Sequence, residues 1–229
     1  MSFHARTESG NTCQCLVVLG WGVSLNCYNP FVPSLNEIRA DYNAQTITIY
    51  QAYSSIIAQP ALKAQRFVPP FSMGRMTWIK PSFLWLMERS NWGQKAGQEF
   101  ILSVKIQRNG WDEALSLGVL TSFEASIHRN PQLWREEFDR ALVHVQWDPE
   151  RSIRGADLGC NSIQVGLSRQ IIEKYVEEWV VEIQDFTPLV RKIHGLVKAG
   201  HIDKAKKLLP PERVYPLSLD VAKRLNMKT

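Results

Sequence analysis

The chain has little cysteine, and none of it is arranged to hold a metal. Cys13, Cys15, Cys27 and Cys160 are its four, and a lone Cys-x-Cys without a second nearby pair of Cys or His ligands matches no structural zinc pattern. Three of the four fall in the first 36 residues, so reduced thiols in a cytoplasmic or otherwise intracellular compartment are the expectation. A bilayer-length apolar run is missing as well. The stretch from Cys15 to Leu25 is eleven residues long, about half of what a spanning helix needs. Neither a basic cluster before it nor a small-x-small site after it marks a secretory signal. No membrane partner is expected.

The common catalytic fingerprints are absent too. No G-x-G-x-x-G follows a strand pattern and no G-x-x-x-x-G-K-[ST] occurs, which disfavours dinucleotide-binding Rossmann enzymes and P-loop NTPases. His-x-x-x-His and Gly-x-Ser-x-Gly are missing, and the five histidines (4, 128, 144, 194, 201) are scattered. Zinc and serine hydrolysis lose their usual carriers.

What is present is apolar and aromatic. With 45% hydrophobic residues and eight Trp in 229 residues, the chain can bury one main core and offset its ordering entropy. The net charge of +5 is uneven. From Arg191 onward ten Lys or Arg face three acids, a local +7 that leaves −2 on the rest. Such a region suits phosphate contacts with single-stranded DNA or RNA, or forms a solvated helical face.

Patterning gives an α+β reading. Residues 1–36 form an N-terminal extension, 37–185 the core and 186–229 a basic helical region. Thr46 to Tyr53 alternates and is β-branched, which predicts a strand. Ser54 then caps a helix toward Gln65 that Pro60 shortens or interrupts. Strands are predicted over 76–79, 100–106, 141–147 and 162–166, the one over 141–147 ending at the Asp148-Pro149 breaker. Helices are predicted after Pro81 at a first helical position, over 111–120, from Asn130-Pro131, over 168–179, from Thr187-Pro188 to Gly200, and over 203–209.

Chemistry concentrates where these strands end. Between Arg75 and Trp92, three Trp (78, 85, 92) accompany Arg75, Lys80 and Arg89. Arg forks onto phosphate oxygens, Lys adds a compact charge, and an indole offers a face to a ring. The set suits a nucleotide with a pyrophosphate; the alternative is core tryptophans with surface cations. Tyr50, Gln51, Tyr53 and Ser54 supply aromatic, amide and hydroxyl groups at a strand end, either to a ligand or to the strand and its helix cap. Gln146 and Gln164 each place an amide on an apolar strand, where it must serve a site or be bonded in the core.

These strings also carry a resemblance. Ile38-Arg-Ala-Asp-Tyr42, Ile49-Tyr-Gln-Ala-Tyr-Ser54, Arg75-Met-Thr-Trp-Ile-Lys-Pro-Ser-Phe-Leu-Trp85, Val145-Gln-Trp-Asp-Pro-Glu-Arg151 and Ser162-Ile-Gln-Val-Gly-Leu167 resemble the bacterial and fungal family of domain of unknown function 4291, from about Ile38 to Pro216. The order of the Tyr50–Tyr53 strand, its helix, the strand into Pro81-Ser82 and the strand over 100–106 also resembles DarT-type DNA ADP-ribosyltransferases. That second resemblance implies a split β-sheet cleft for NAD as substrate and a nucleic acid base or nucleotide as acceptor. Tyr50, Gln51, Tyr53 and Ser54 would face nicotinamide and its ribose, Arg39, Arg75 and Lys80 the pyrophosphate, with Thr77, Trp78 and Ser82 completing the binding set. Gln51 stands where such enzymes place His or Arg. Gln164, Gln146 and Glu150 are the candidates for the catalytic position on a late strand. A non-catalytic nucleotide or nucleic-acid binding module is the alternative.

Overall fold

The computed structural model describes residues 35–227, so most of the expected 1–36 extension lies outside them. In chain order the elements are β1 (Arg39–Ala40), β2 (Thr46–Tyr53), α1 (Ser55–Ala64), β3 (Thr77–Ile79), α2 (Phe83–Ser90), β4 (Phe100–Gln107), α3 (Arg108–Ser116), β5 (Gly118–Leu120), α4 (Pro131–Arg140), β6 (Val143–Arg151), β7 (Asp157–Leu167) and α5 (Ile172–Lys174). A π turn over Tyr175–Trp179 then leads into β8 (Val180–Asp185), α6 (Thr187–Lys198), α7 (Ile202–Lys206), β9 (Arg213–Val214) and α8 (Leu219–Arg224). The protein is a mixed α+β structure with several sheets, and eight α-helices lie among the described residues.

Two sheets carry the fold. One is the antiparallel β2-β4-β8, with Tyr50 opposite Ser103 and Val104 opposite Ile183. The other is β3-β7-β6-β5, antiparallel except for the parallel β5–β6 pair. Along β2 the side chains alternate. Ile47 and Ile49 enter the larger core with Val104, Ile106, Trp111, Val145, Val165 and Tyr175. Tyr50 enters a second core with Phe83, Leu86, Met87, Ile101, Val190 and Ile193. The three-stranded sheet is therefore apolar on both faces, with α2 and α6 contributing the second core.

Local physics accounts for most boundaries, and several differ from expectation. Asn130 caps α4 by accepting from Leu133 N at 2.8 Å, with Pro131 at the start of the helix as anticipated. Pro81 instead precedes the cap: Ser82 accepts from Trp85 N at 3.2 Å and the helix begins at Phe83. Helix α1 runs through Pro60 without interruption, burying Ala58 and Ala61. The predicted helix over 111–120 ends at Ser116, because Gly118–Leu120 pairs with β6 as a parallel edge strand. Strand β6 does not stop at Asp148-Pro149 but continues to Arg151, with a register shift between Pro149 and Arg151 that accommodates the proline. Strand β8 was not anticipated. Only Ile183 of its six residues is buried, so alternation gives no signal.

A glycine fixes one close approach. A Cβ on Gly110 would sit 2.4 Å from Trp179 Cγ, so only a hydrogen lets α3 lie against the π turn. The C-terminal segment is tied down by the β1–β9 pair, by Tyr215 N donating to Ile38 O at 2.8 Å, and by Glu212, whose carboxylate accepts from Phe83 N at 2.7 Å. Burial pushes the Glu212 carboxyl up from 4.5 to about 8, against the pull of the Phe83 N–H and with a further push from Glu150.

Gly110→Ala is expected to lower stability by about 1–3 kcal/mol through overpacking, read as a reduced Tm or urea midpoint. Because the folded Glu212 value lies above the unfolded one, its contribution to stability is full below about 4.5 and is lost as pH rises toward about 8. Urea unfolding of Glu212→Gln between pH 5 and 8 should show a shallower fall with pH than the parent; an equal slope would refute the assignment.

Candidate functional site

Among the described residues, the backbones of the two sheets are bridged where β2 passes β3. There Tyr50 N donates to Lys80 O at 2.7 Å, an isolated antiparallel bridge rather than a ladder. Beside that bridge lies a cleft of about 600 Å³ lined by Gln51, Ala52, Tyr53, Arg75, Met76, Thr77, Trp78, Lys80, Trp85, Leu86, Arg89, Lys95, Gln98, Gln146 and Gln164. Concavities of about 650 and 850 Å³ lie near α3 and α4. The first is lined by Arg108, which is already bonded to Tyr215, and the second sets Glu136 and Glu137 among Arg129, Arg140 and Arg224.

Electrostatics distinguishes the β2–β3 cleft. Arg75, Lys80, Arg89 and Lys95 all line it, and none of the four takes part in an ion pair among the described residues. Arg75, Arg89 and Lys95 are exposed at the rim, while Lys80 is only 9% exposed. Its ammonium lies over the Trp85 ring at 5.1 Å, and the Arg89 guanidinium over the same ring at 5.7 Å. Burial brings the Lys80 ammonium down to about 8; Arg89 pushes the same way and Asp148 opposes it. Trp85 is thus both buried wall and cation platform, which merges the core and ligand readings of the Arg75–Trp92 stretch.

Gln51 is the polar hub. Its Oε1 accepts from Tyr175 OH at 2.7 Å, and its Nε2 donates to Tyr53 OH at 2.8 Å, Thr77 Oγ1 at 2.9 Å and the Trp78 carbonyl at 3.3 Å. Tyr53 OH and Thr77 Oγ1 are 3.1 Å apart. Burial pushes the Tyr53 hydroxyl up to about 12, so it stays a neutral donor. With its amide engaged on both sides and only 2% exposed, Gln51 ties β2 to β3 and to the π turn where their ladder is missing.

The late strands carry an acid whose charge acts on Lys80. Gln146 and Gln164 are register partners on β6 and β7. Each donates its amide to Asp148, Gln146 to Oδ1 and Gln164 to Oδ2, both at 2.8 Å. Asp148 is a residue that sequence reasoning missed, because Trp147-Asp148-Pro149 reads as a strand ending. The signal that would have found it is the period-two continuation Gln146, Asp148 beside Gln164. Asp148 stands behind the two amides that line the cleft; Trp85 and Arg89 of the cation–aromatic stretch line it, and Lys95, Gln98 and Met76 line it outside the expected set.

The structure brings Gln51, Tyr53, Arg75, Thr77, Trp78, Lys80, Gln146 and Gln164 together and places the others elsewhere. Tyr50 points to the opposite face of β2, edge-on to Phe83 with centroids 5.4 Å apart, and its buried hydroxyl has no hydrogen-bond partner among the described residues. Ser54 stands at the α1 N-cap and makes no side-chain cap bond. Ser82 is buried as the cap of α2. Arg39 is exposed on β1 and pairs with Glu37 at 2.9 Å. Glu150 accepts from Arg151 N at 2.8 Å, and burial pushes its carboxyl up despite bonds from that N–H and the Ser82 hydroxyl.

Between Asn91 and Glu99 the chain returns from α2 to β4 and supplies Lys95 and Gln98 to the cleft. Asn91, Trp92 and Gly93 follow one another at φ 50°, 56° and 69°. Asn91 and Gly93 are common in this region, whereas a bulky Trp there costs about 1–3 kcal/mol. The strain is held by Trp92 N donating to Met87 O at 2.8 Å and by the Trp92 ring lying parallel to His194, 5.1 Å between centroids and 8° between planes.

No curated protein matches the chain. The family model described as Domain of unknown function (DUF4291) matches residues 37–215, which spans both sheets and every cleft residue, and the chain belongs to that family.

Proposed function

We propose that the β2–β3 cleft binds NAD through its pyrophosphate and that the protein is an ADP-ribosyltransferase-like enzyme acting on a nucleic acid base or nucleotide. One observation carries the reading: four cations without ion pairs converge on a cleft that also offers two indoles and four amides. A phosphate-rich ligand with aromatic ends satisfies all three features. Two sheets parted at a cleft also agree with the expected split-sheet core.

In this reading Arg75, Lys80 and Arg89 hold the phosphates, and Trp78 with the amides of Gln98, Gln146 and Gln164 faces the rings. The Asp148 carboxylate stabilises the positive charge that develops on the nicotinamide ribose. The bond from ribose C1′ to nicotinamide nitrogen breaks with its electron pair on nicotinamide, an acceptor nitrogen or oxygen bonds to C1′, and the acceptor's proton is released. The exposed cations Arg191, Lys192, Lys198, Lys204, Lys206 and Lys207 on and beside α6 and α7 would contact acceptor phosphates. A binding module without turnover is the second reading, favoured because both Asp148 oxygens already accept an amide.

Labelled NAD incubated with single-stranded DNA, RNA or free nucleotides should release nicotinamide and transfer label. Asp148→Asn should abolish release while keeping ADP-ribose binding; binding with no release from the parent under any condition selects the module. Arg75→Ala and Lys80→Ala should each weaken ADP-ribose binding about tenfold or more by calorimetry. Affinity should fall as pH rises through about 8, where Lys80 loses its charge, and Lys80→Arg should flatten that dependence.

A further inference from the structure

We infer that Trp92 and His194 are positioning residues, whose stack on each other holds the 91–98 segment so that Lys95 and Gln98 close one side of the cleft on an anionic ligand. The inference rests on the cleft being a ligand site and does not depend on the ligand being NAD.

The segment is expensive in conformation and poor in burial. Three consecutive residues hold positive φ, and Gly97 holds φ 78° further on. Asn91, Gln94, Lys95, Ala96 and Gly97 are exposed, so apart from Trp92, which packs half-buried against the second core, burial does little to offset the strain. What the path delivers is placement. Gln94 N donates to the carbonyls of Ser90 and Asn91 at 3.2 and 3.0 Å, and Lys95 N to Ser90 O at 3.1 Å, winding the chain tightly back on the end of α2. Ser90, fully buried, donates its hydroxyl to Leu86 O at 2.8 Å and accepts from Gly93 N at 3.2 Å. From this base Lys95 and Gln98 reach the cleft that Arg75, Lys80 and Arg89 also line.

The anchor comes from a different element. His194 sits on α6, parallel to the Trp92 ring, and its Nδ1 pairs with Gln94 Nε2 at 3.1 Å. Two neighbouring loop residues thus grip one imidazole, one through its face and one through its edge. A strained backbone persists where its surroundings over-determine it, and this double grip supplies that condition. Removing the grip frees Lys95 to wander without deleting its charge.

The test uses inorganic pyrophosphate as probe, with affinity measured by calorimetry on the full chain. Trp92→Gly suits it, because glycine accepts the left-handed backbone and the fold is kept while the ring is lost. Lys95→Ala should weaken pyrophosphate binding roughly tenfold. Trp92→Gly and His194→Ala should each weaken it to a similar degree, and Trp92→Phe, which keeps a stacking ring, should stay near the parent. If Trp92 acts through Lys95, the Trp92→Gly/Lys95→Ala double variant binds no more weakly than the weaker single. Multiplied losses in the double variant, or parental affinity in Trp92→Gly while Lys95→Ala is weakened, would overturn the inference. Pyrophosphate binding lost in Arg75→Ala and Lys80→Ala but untouched in Lys95→Ala would overturn it while leaving the cleft reading standing. Absence of nicotinamide release would count against the enzyme alone.

Discussion

Among the described residues one backbone hydrogen bond, from Tyr50 N to Lys80 O, bridges the strands of the two sheets, and the rest of the site follows from this being an isolated bridge rather than a ladder. A full β2–β3 ladder would close the sheets into one surface and bring the Gln51 and Trp78 backbones too near to leave a cleft. With a single bridge the strands part, and each polar group near the parting needs another partner. Gln51 supplies it by donating to Trp78 O and linking Tyr53, Thr77 and Tyr175. The amide thus substitutes for missing sheet bonds, and truncating it would strand several buried polar groups at once.

The same parting sets the electrostatics. Lys80 follows β3, so its carbonyl makes the bridge while its side chain enters the cleft. Held among Trp85, Arg89 and the Asp148 carboxylate, it carries a charge that burial opposes. Such a group is costly in a free protein and well placed for an anion, which would restore its charge. Asp148, the acid that supports its charge, is itself held from both sides by the Gln146–Gln164 register pair, so the carboxylate is pre-positioned without an ion pair to the cations among the described residues. Helix α2 and the loop after it complete the walls, which makes the contacts of Trp92 and His194 relevant to the cleft although neither residue lines it.

Much of this was legible in residue order. The alternation of Thr46 to Tyr53 matched β2 to the residue, and Asn130-Pro131 marked the start of α4 because capping chemistry is local. Of the cleft residues, Arg75, Trp78 and Lys80 came from the density of cations and aromatics, Gln51 and Tyr53 from the polar groups that end a strand, and Thr77 only from the DarT-type resemblance. Legibility failed where a long-range partner decided the outcome. Gly118–Leu120 is too short to declare itself against a helical pattern, and it became a strand because β6 was there to pair with it. Val180–Asp185, mostly exposed, is a strand because β4 has a free edge. Asp148 was lost for a related reason: a proline after it reads as a breaker, yet β7 carries the ladder past it.

By itself the sequence determined the long alternating strands, the Asn130 cap and the faces within each strand, since period two puts Tyr50 and Gln51 on opposite sides whatever surrounds them. It also determined that cations and indoles lie close together between Arg75 and Trp92. Where β2 gives way from core to cleft was decided only by tertiary structure. The Gln51 face is core at Ile47 and Ile49 and opens into the cleft at its Gln51–Tyr53 end, while α2 and α6 cover the Tyr50 face with Phe83, Met87, Val190 and Ile193. The amide and cations are left to face each other across the gap between the sheets.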